Sequence, residues 1–179
     1  MRSLLSLLAA VFFATAASAE TLKVDKDRSS FGIDVKASPP HSFTVDVTDY
    51  VADIKIDSDG EVVSASVSFN FLDLDSDSNG RDKKMRKWMD VEEHPQVRFV
   101  LDEVRREGAL RIGIGKVWMH GVSQAVEVPF SLGVRNGQAA LAGSATIDYQ
   151  NWGLEIISIF FFKVKPELEI HFSLVGSVE

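Results

Sequence analysis

The 179-residue sequence contains no cysteine, which excludes a disulfide framework. It also excludes a lipoprotein-type lipid anchor, since no thiol follows the export signal described below. Positive charge is in short supply: 19 Lys and Arg stand against 26 Asp and Glu, a formal net charge of −7. Nucleic acid is therefore not the expected partner, because its binding needs a basic face. No apolar run reaches the roughly twenty residues that a membrane-spanning helix needs; Leu4 to Phe13 supplies about ten. Catalytic and metal signatures are missing as well. The histidines His41, His94, His120 and His171 show no ligand spacing. Gly113-Ile114-Gly115-Lys116 is too short for a phosphate loop. Asp73, Asp75, Asp77 and Asn79 resemble the start of a calcium loop, but Ser78 occupies the place of its glycine and Lys84 that of its bidentate glutamate. Gly121-Val122-Ser123-Gln124-Ala125 lacks the last glycine of a nucleophile elbow and lies on a strand. No catalytic residue, metal ligand or cofactor is assigned, and the expectation is a protein that is not an enzyme.

What is present begins with a targeting segment. Met1-Arg2, the short apolar run and Ala17-Ser18-Ala19 read as a secretory signal peptide over residues 1–19, cleaved after Ala19. The expected location is the periplasm. Residues 20–179 then form a single domain, about 160 residues being enough for one core.

That domain is dominated by period-two alternation, the mark of strands with one buried face. The longest example runs from Ala109 to Val134. Leu110, Ile112, Ile114, Lys116 and Trp118 share one face before His120-Gly121; Val122, Gln124, Val126, Val128, Phe130, Leu132 and Val134 share one after it. His-Gly permits the positive φ angles of a tight hairpin, so two long arms meet there. Asp59-Gly60 and Asn136-Gly137 mark two further hairpins. Phe31, Ile33 and Val35 lie on a first strand; Val63, Ala65, Val67, Phe69 and Phe71 on another. A phase change near Thr48-Asp49 suggests a bulge or corner. One helix is expected from Arg81 to about Met89, with Met85, Trp88 and Met89 on one side and basic residues elsewhere.

About eight strands joined by short turns, with one helix, predict an all-β fold: an elongated antiparallel barrel, closed so that no edge is left exposed. A two-sheet sandwich is the competing architecture. The candidate lining is Phe31, Phe69, Phe71, Phe99, Trp118, Phe130, Leu141, Gly143 and Phe172, with Met85, Trp88 and Met89 as a portal. Ala139, Gly143 and Ala145 would leave room inside, and Gly143→Leu is expected to obstruct the tube without unfolding it. The plainer reading makes Gly143 a bend and the aromatics ordinary core.

Four segments carry a resemblance. Asn79 to Met89, followed by His94-Pro95 and Phe99, is similar to the RD-helix-HP-F portion of the YceI-like family. Gly115 to Phe130 resembles that family's G-x-L-x-x-(H/R)-G-V-(S/T)-x-x-V-x-(L/V)-P-(F/V) hairpin. Asn151-Trp152-Gly153-Leu154 resembles its R-x-(D/N)-(F/W)-G-(L/I) loop, and Val24-Asp25 to Ser29 its opening D-x-x-(H/R)-S. Leu22 and Gln150 stand where the family usually has Trp and Arg, and Pro39-Pro40-His41 lacks its glycine-rich link. The resemblance implies a lipocalin-like barrel holding a long isoprenoid-like or other amphiphilic lipid of the quinone or polyprenol class. Such a carrier allows transient contact with a membrane surface. The alternatives are a ligand-free packed barrel acting as a stress or interaction module and, third, an esterase.

Overall fold

The structure is a computed structural model that describes residues 19–38, 42–108, 110–159 and 162–179. Most of the proposed signal peptide and the Pro39-Pro40-His41 segment lie outside those residues. The elements, in chain order, are β1 (Glu20–Val24), β2 (Ser30–Ala37), β3 (Ser42–Val47), β4 (Val51–Ile56), β5 (Val62–Asn70), β6 (Leu74–Asp75), α1 (Asn79–Met89), β7 (Gln96–Glu107), β8 (Leu110–Met119), β9 (Val122–Arg135), β10 (Gln138–Asp148), β11 (Ser158–Ile159) and β12 (Phe162–Val178). All strand pairings are antiparallel, and the ring β1-β4-β5-β7-β8-β9-β10-β12 closes back on β1. Among the described residues the result is a closed eight-stranded barrel with one α-helix. β12 is long enough to bind β2 along its first part, through Phe172↔Phe31, and β1 along its last, through Leu22↔Val178. β1 and β2 are thus one wall strand interrupted by the turn at Lys26–Arg28. Sequence alternation begins clearly only at Ser29, so β1 escapes a reading based on periodicity.

The predicted turns are in place. His120 and Gly121 have φ of 50° and 72°, and Asn136 and Gly137 have 52° and 70°, so both hairpins reverse through consecutive left-handed residues. The phase change near Thr48 is a corner between β3 and β4. There the Thr48 N–H and hydroxyl both donate to the Asp73 carbonyl, at 2.8 and 2.7 Å.

Three register shifts set which residues point inward. One between Lys55 and Ile56 makes Val62, rather than Val63, the inward residue at the start of β5; Val63 is exposed. A second at Asp102 lets both Leu101 and Val104 face the core. A third falls between Val164 and Leu168, where Pro166 has no N–H to contribute to the ladder.

The end of the barrel opposite α1 is closed. Leu22, Ile56 and Ala139 are almost fully buried there, next to Ile54, Val62 and Leu174. On the rim, Glu61 accepts hydrogen bonds from Arg111 Nε (2.7 Å) and Nη2 (2.8 Å), and a further one from Arg106. This clasp ties the β4–β5 turn to the β7–β8 hairpin. The Arg111 hydrogen bonds, reinforced by the two guanidinium charges, hold the Glu61 carboxyl below the usual carboxylate range against the opposing effect of partial burial.

Two predictions concern the wall. Because Glu61 titrates lower folded than unfolded, its contribution is present above the unfolded carboxylate pKa and is lost as pH falls through the folded one. Glu61→Gln should cost about 1 kcal/mol at neutral pH. Urea titrations should show that difference shrinking as pH falls below the unfolded carboxylate range. The second concerns Gly143, whose added Cβ would lie 2.5 Å from the Pro129 carbonyl oxygen, 2.8 Å from Phe172 Cζ and 3.0 Å from Phe130 Cβ. Gly143→Leu therefore strikes the backbone of β9 before it reaches the tube. The expectation of an obstructed but folded barrel is corrected accordingly. The variant should lose about 3 kcal/mol or more, seen as loss of a cooperative thermal transition.

Candidate functional site

The inward faces of the wall strands do not fill the barrel. They enclose a cavity of about 620 Å³, within the roughly 300 to 1,000 Å³ typical of small-molecule sites. Its middle is ringed by Phe31, Phe69, Phe99 and Phe172, with Ile33, Leu101, Val128 and Ile170 between them. Its floor includes Ile54, Val62 and Leu174, and its upper rim Phe43, Met119, Tyr149 and Ile157. Rings fit against the wall because glycines stand behind them. A Cβ on Gly115 would come within 2.7 Å of Phe99 Cε2, and Gly143 makes the same allowance for Phe172.

The face assigned to β8 from sequence is the wrong one. Trp118 is 41% exposed and absent from the lining; Gly113, Val117 and Met119 point in instead. The physical reason is that Gly113 and Gly115 occupy the first half of the inner face, so the aliphatic residues Leu110, Ile112 and Ile114 of the outer face imitate a core stripe. Phe31, Phe69, Phe71, Phe99, Phe130, Leu141 and Phe172 line the cavity. Gly143 does not line it and lies beneath the rings.

α1 stands at the mouth. Ser78, Gly80, Arg81, Lys84, Met85 and Trp88 contribute to the lining, a spacing that places one helix face on the opening. Gly80 and Lys84 are also exposed to solvent, so the cavity reaches the surface here. Met85 and Trp88 line the cavity at this end, whereas Met89 is 0% exposed and sits in the core outside the lining. The helix is anchored at both ends. Asp82 Oδ1 accepts from Ser76 N–H (3.2 Å) and Oγ (2.5 Å), while Arg81 Nη2 donates to the Ser76 carbonyl at 2.6 Å. The Arg81 guanidinium lies 3.9 Å from the centre of the Phe43 ring. At the other end Trp88 Nε1 donates to the Glu155 carbonyl at 2.8 Å, and its ring meets Tyr149 edge-on at 5.0 Å. Ser78 is the N-cap residue but makes no side-chain cap bond; Asp82 takes up the Ser76 donors instead.

Beside the mouth, buried Trp152 donates Nε1 to the Val117 carbonyl at 3.1 Å. His120 Nδ1 lies 3.1 Å from the Trp152 carbonyl, and its ring is 4.6 Å from that of His94. Ser123, from the near-elbow sequence, is exposed and pairs with Trp118. Among the described residues no group of three or more His, Cys, Asp or Glu side chains is arranged to hold a metal ion. Asp75 Oδ1 accepts from Asp77 N–H at 2.9 Å, so the calcium-like stretch forms a local turn leading into α1.

The family model for the YceI-like domain matches residues 22–176. The chain belongs to the YceI-like family. Among solved structures, Burkholderia cenocepacia BcnA superposes with a TM-score of 0.77 at 20% identity, covering 87% of this chain and 100% of that one. The Campylobacter jejuni YceI protein gives 0.67 at 12% identity, covering 75% and 84%. A polyisoprenoid-binding domain from Saccharophagus degradans, described as implicated in plant cell wall breakdown, gives 0.65 at 11% identity, covering 90% and 99%. No curated protein matches the chain. At these identities the structural likeness establishes the fold.

The small residues that keep the cavity open yield a cleaner test than Gly143. Ala145 lines the cavity and is only partly buried. Ala145→Phe should fill space rather than strike backbone. Its melting temperature should stay within a few degrees of the parent, while uptake of a long-chain fluorescent lipid should fall about tenfold or more.

Proposed function

We propose that this protein is a non-enzymatic periplasmic carrier that holds an amphiphilic lipid with a long isoprenoid-like tail, a class that includes quinones and polyprenols. The observation that carries the reading is the apolar cavity, closed at one end of the barrel and open at α1. A tail enters tail-first and the head remains at the mouth. Each CH₂ transferred from water contributes about 0.8 kcal/mol, so several isoprene units offset the cost of ordering a flexible chain. Membership of the YceI-like family supports a lipid-binding barrel. The likeness to a polyisoprenoid-binding domain points the same way. The export-like N-terminus supports the compartment. Loading and unloading bring the mouth into transient contact with a membrane surface, since such tails reside in bilayers.

Native mass spectrometry of protein purified from its own cells, followed by organic extraction, tests this. A bound species whose mass varies in isoprene units is the expected result. A bare mass that persists after incubation with quinones and polyprenols would transfer the assignment to a ligand-free interaction module.

A further inference from the structure

The charged groups on the cavity wall are all of one sign. Among the described residues lining it, Arg81 and Lys84 are the ones that carry charge, and both are cations. Both belong to α1, one turn apart, where the exposed Gly80 and Lys84 bring the lining to solvent. The acidic residues nearest in sequence are directed elsewhere. Asp82 is buried against Ser76, Asp75 closes the turn to Asp77, and neither Asp75 nor Asp77 lines the cavity.

The two cations have different surroundings. Arg81 is fixed: Nε donates to Ser76 Oγ at 3.0 Å, Nη2 donates to the Ser76 carbonyl, and the plane lies on Phe43. Lys84 is exposed, and among the described residues it forms no ion pair, whereas Lys26, Arg105, Arg106 and Arg111 each meet a carboxylate. A Cβ added to Gly80, one turn before Lys84 on the same helix face, would meet nothing within 4 Å, so the mouth is open at that point. A neutral head such as a quinone or an alcohol would leave Lys84 with nothing but water. An anion there gains a charge-assisted hydrogen bond without having to displace a carboxylate.

We propose that the mouth selects an anionic head group, a carboxylate or a phosphate monoester on an apolar tail, with Lys84 as the residue that confers the preference and Arg81 as a fixed positive neighbour. This rests on the carrier reading above and narrows it.

Three probes with one tail separate the effects: farnesol, farnesoic acid and farnesyl phosphate, titrated against the full chain by intrinsic tryptophan fluorescence. The two anions should bind about fivefold more tightly than farnesol, the size expected for a solvent-accessible charge contact, and the advantage should shrink as salt rises. Lys84→Glu should abolish that advantage, read as the ratio of anion to farnesol affinity in the same variant. Lys87→Glu, the same charge reversal on an exposed residue of the helix outside the lining, should preserve it. Preference for one anion over the other identifies which head is taken. Equal affinity for all three probes, or an unchanged ratio in Lys84→Glu, overturns the head-group inference alone. Failure of every probe to bind overturns the carrier reading with it.

Discussion

A barrel that keeps its interior empty has to draw its stability from the wall, and closure of the ladder between β1 and β12 is the constraint on which everything else depends. With β1 bound to both β4 and β12, the barrel ring is completed without a free edge. The inner face can then be apolar without being filled, because nothing must cross the lumen to hold the two sides together. Phenylalanine rings lie back against inward glycines and not across the tube, which leaves the space that a conventional core would occupy. The floor and the Glu61 clasp act where this arrangement is weakest, at the strand ends.

Much of this was legible in the sequence where alternation was carried by side chains. The strand from Ala139 to Tyr149 and the one from Val164 to Leu174 present the faces their patterns announce, and Asn136-Gly137 and His120-Gly121 turn as their residue types require. The failures have separate causes. Periodicity counts apolar atoms, and glycines on an inner face contribute none. On β8 this reversed the assignment of Trp118 to the lumen. On β5 the slip at Val63 came from a bulge, which has no residue-type signature of its own in this chain. Met89 was placed on the correct side of its helix, but depth along a barrel is not encoded in helical spacing.

The candidate site shows the same division. Its apolar lining could largely be read residue by residue, since seven of the nine proposed positions face the cavity. Its polar rim could not. Arg81 and Lys84 are two of five basic residues in an eleven-residue helix. Only the packing of Met85 and Trp88 against the barrel shows which of the five turn toward the opening. That selection depends on the seat of α1, fixed by Asp82 on Ser76 and by Trp88 on the Glu155 carbonyl, both contacts between residues whose sequence context gives no hint of partnership.

The closed floor also makes the barrel a measuring device. In the carrier proposed above, a linear guest inserted through the mouth would advance until it met Leu174 and Ile54, and any length beyond that depth would stay outside in water. Affinity therefore grows with each added unit only until the tube is full and is flat thereafter, so the position of the floor, more than the chemistry of the wall, sets the shortest chain that is held at full strength. A single residue there would retune chain-length preference without touching the mouth.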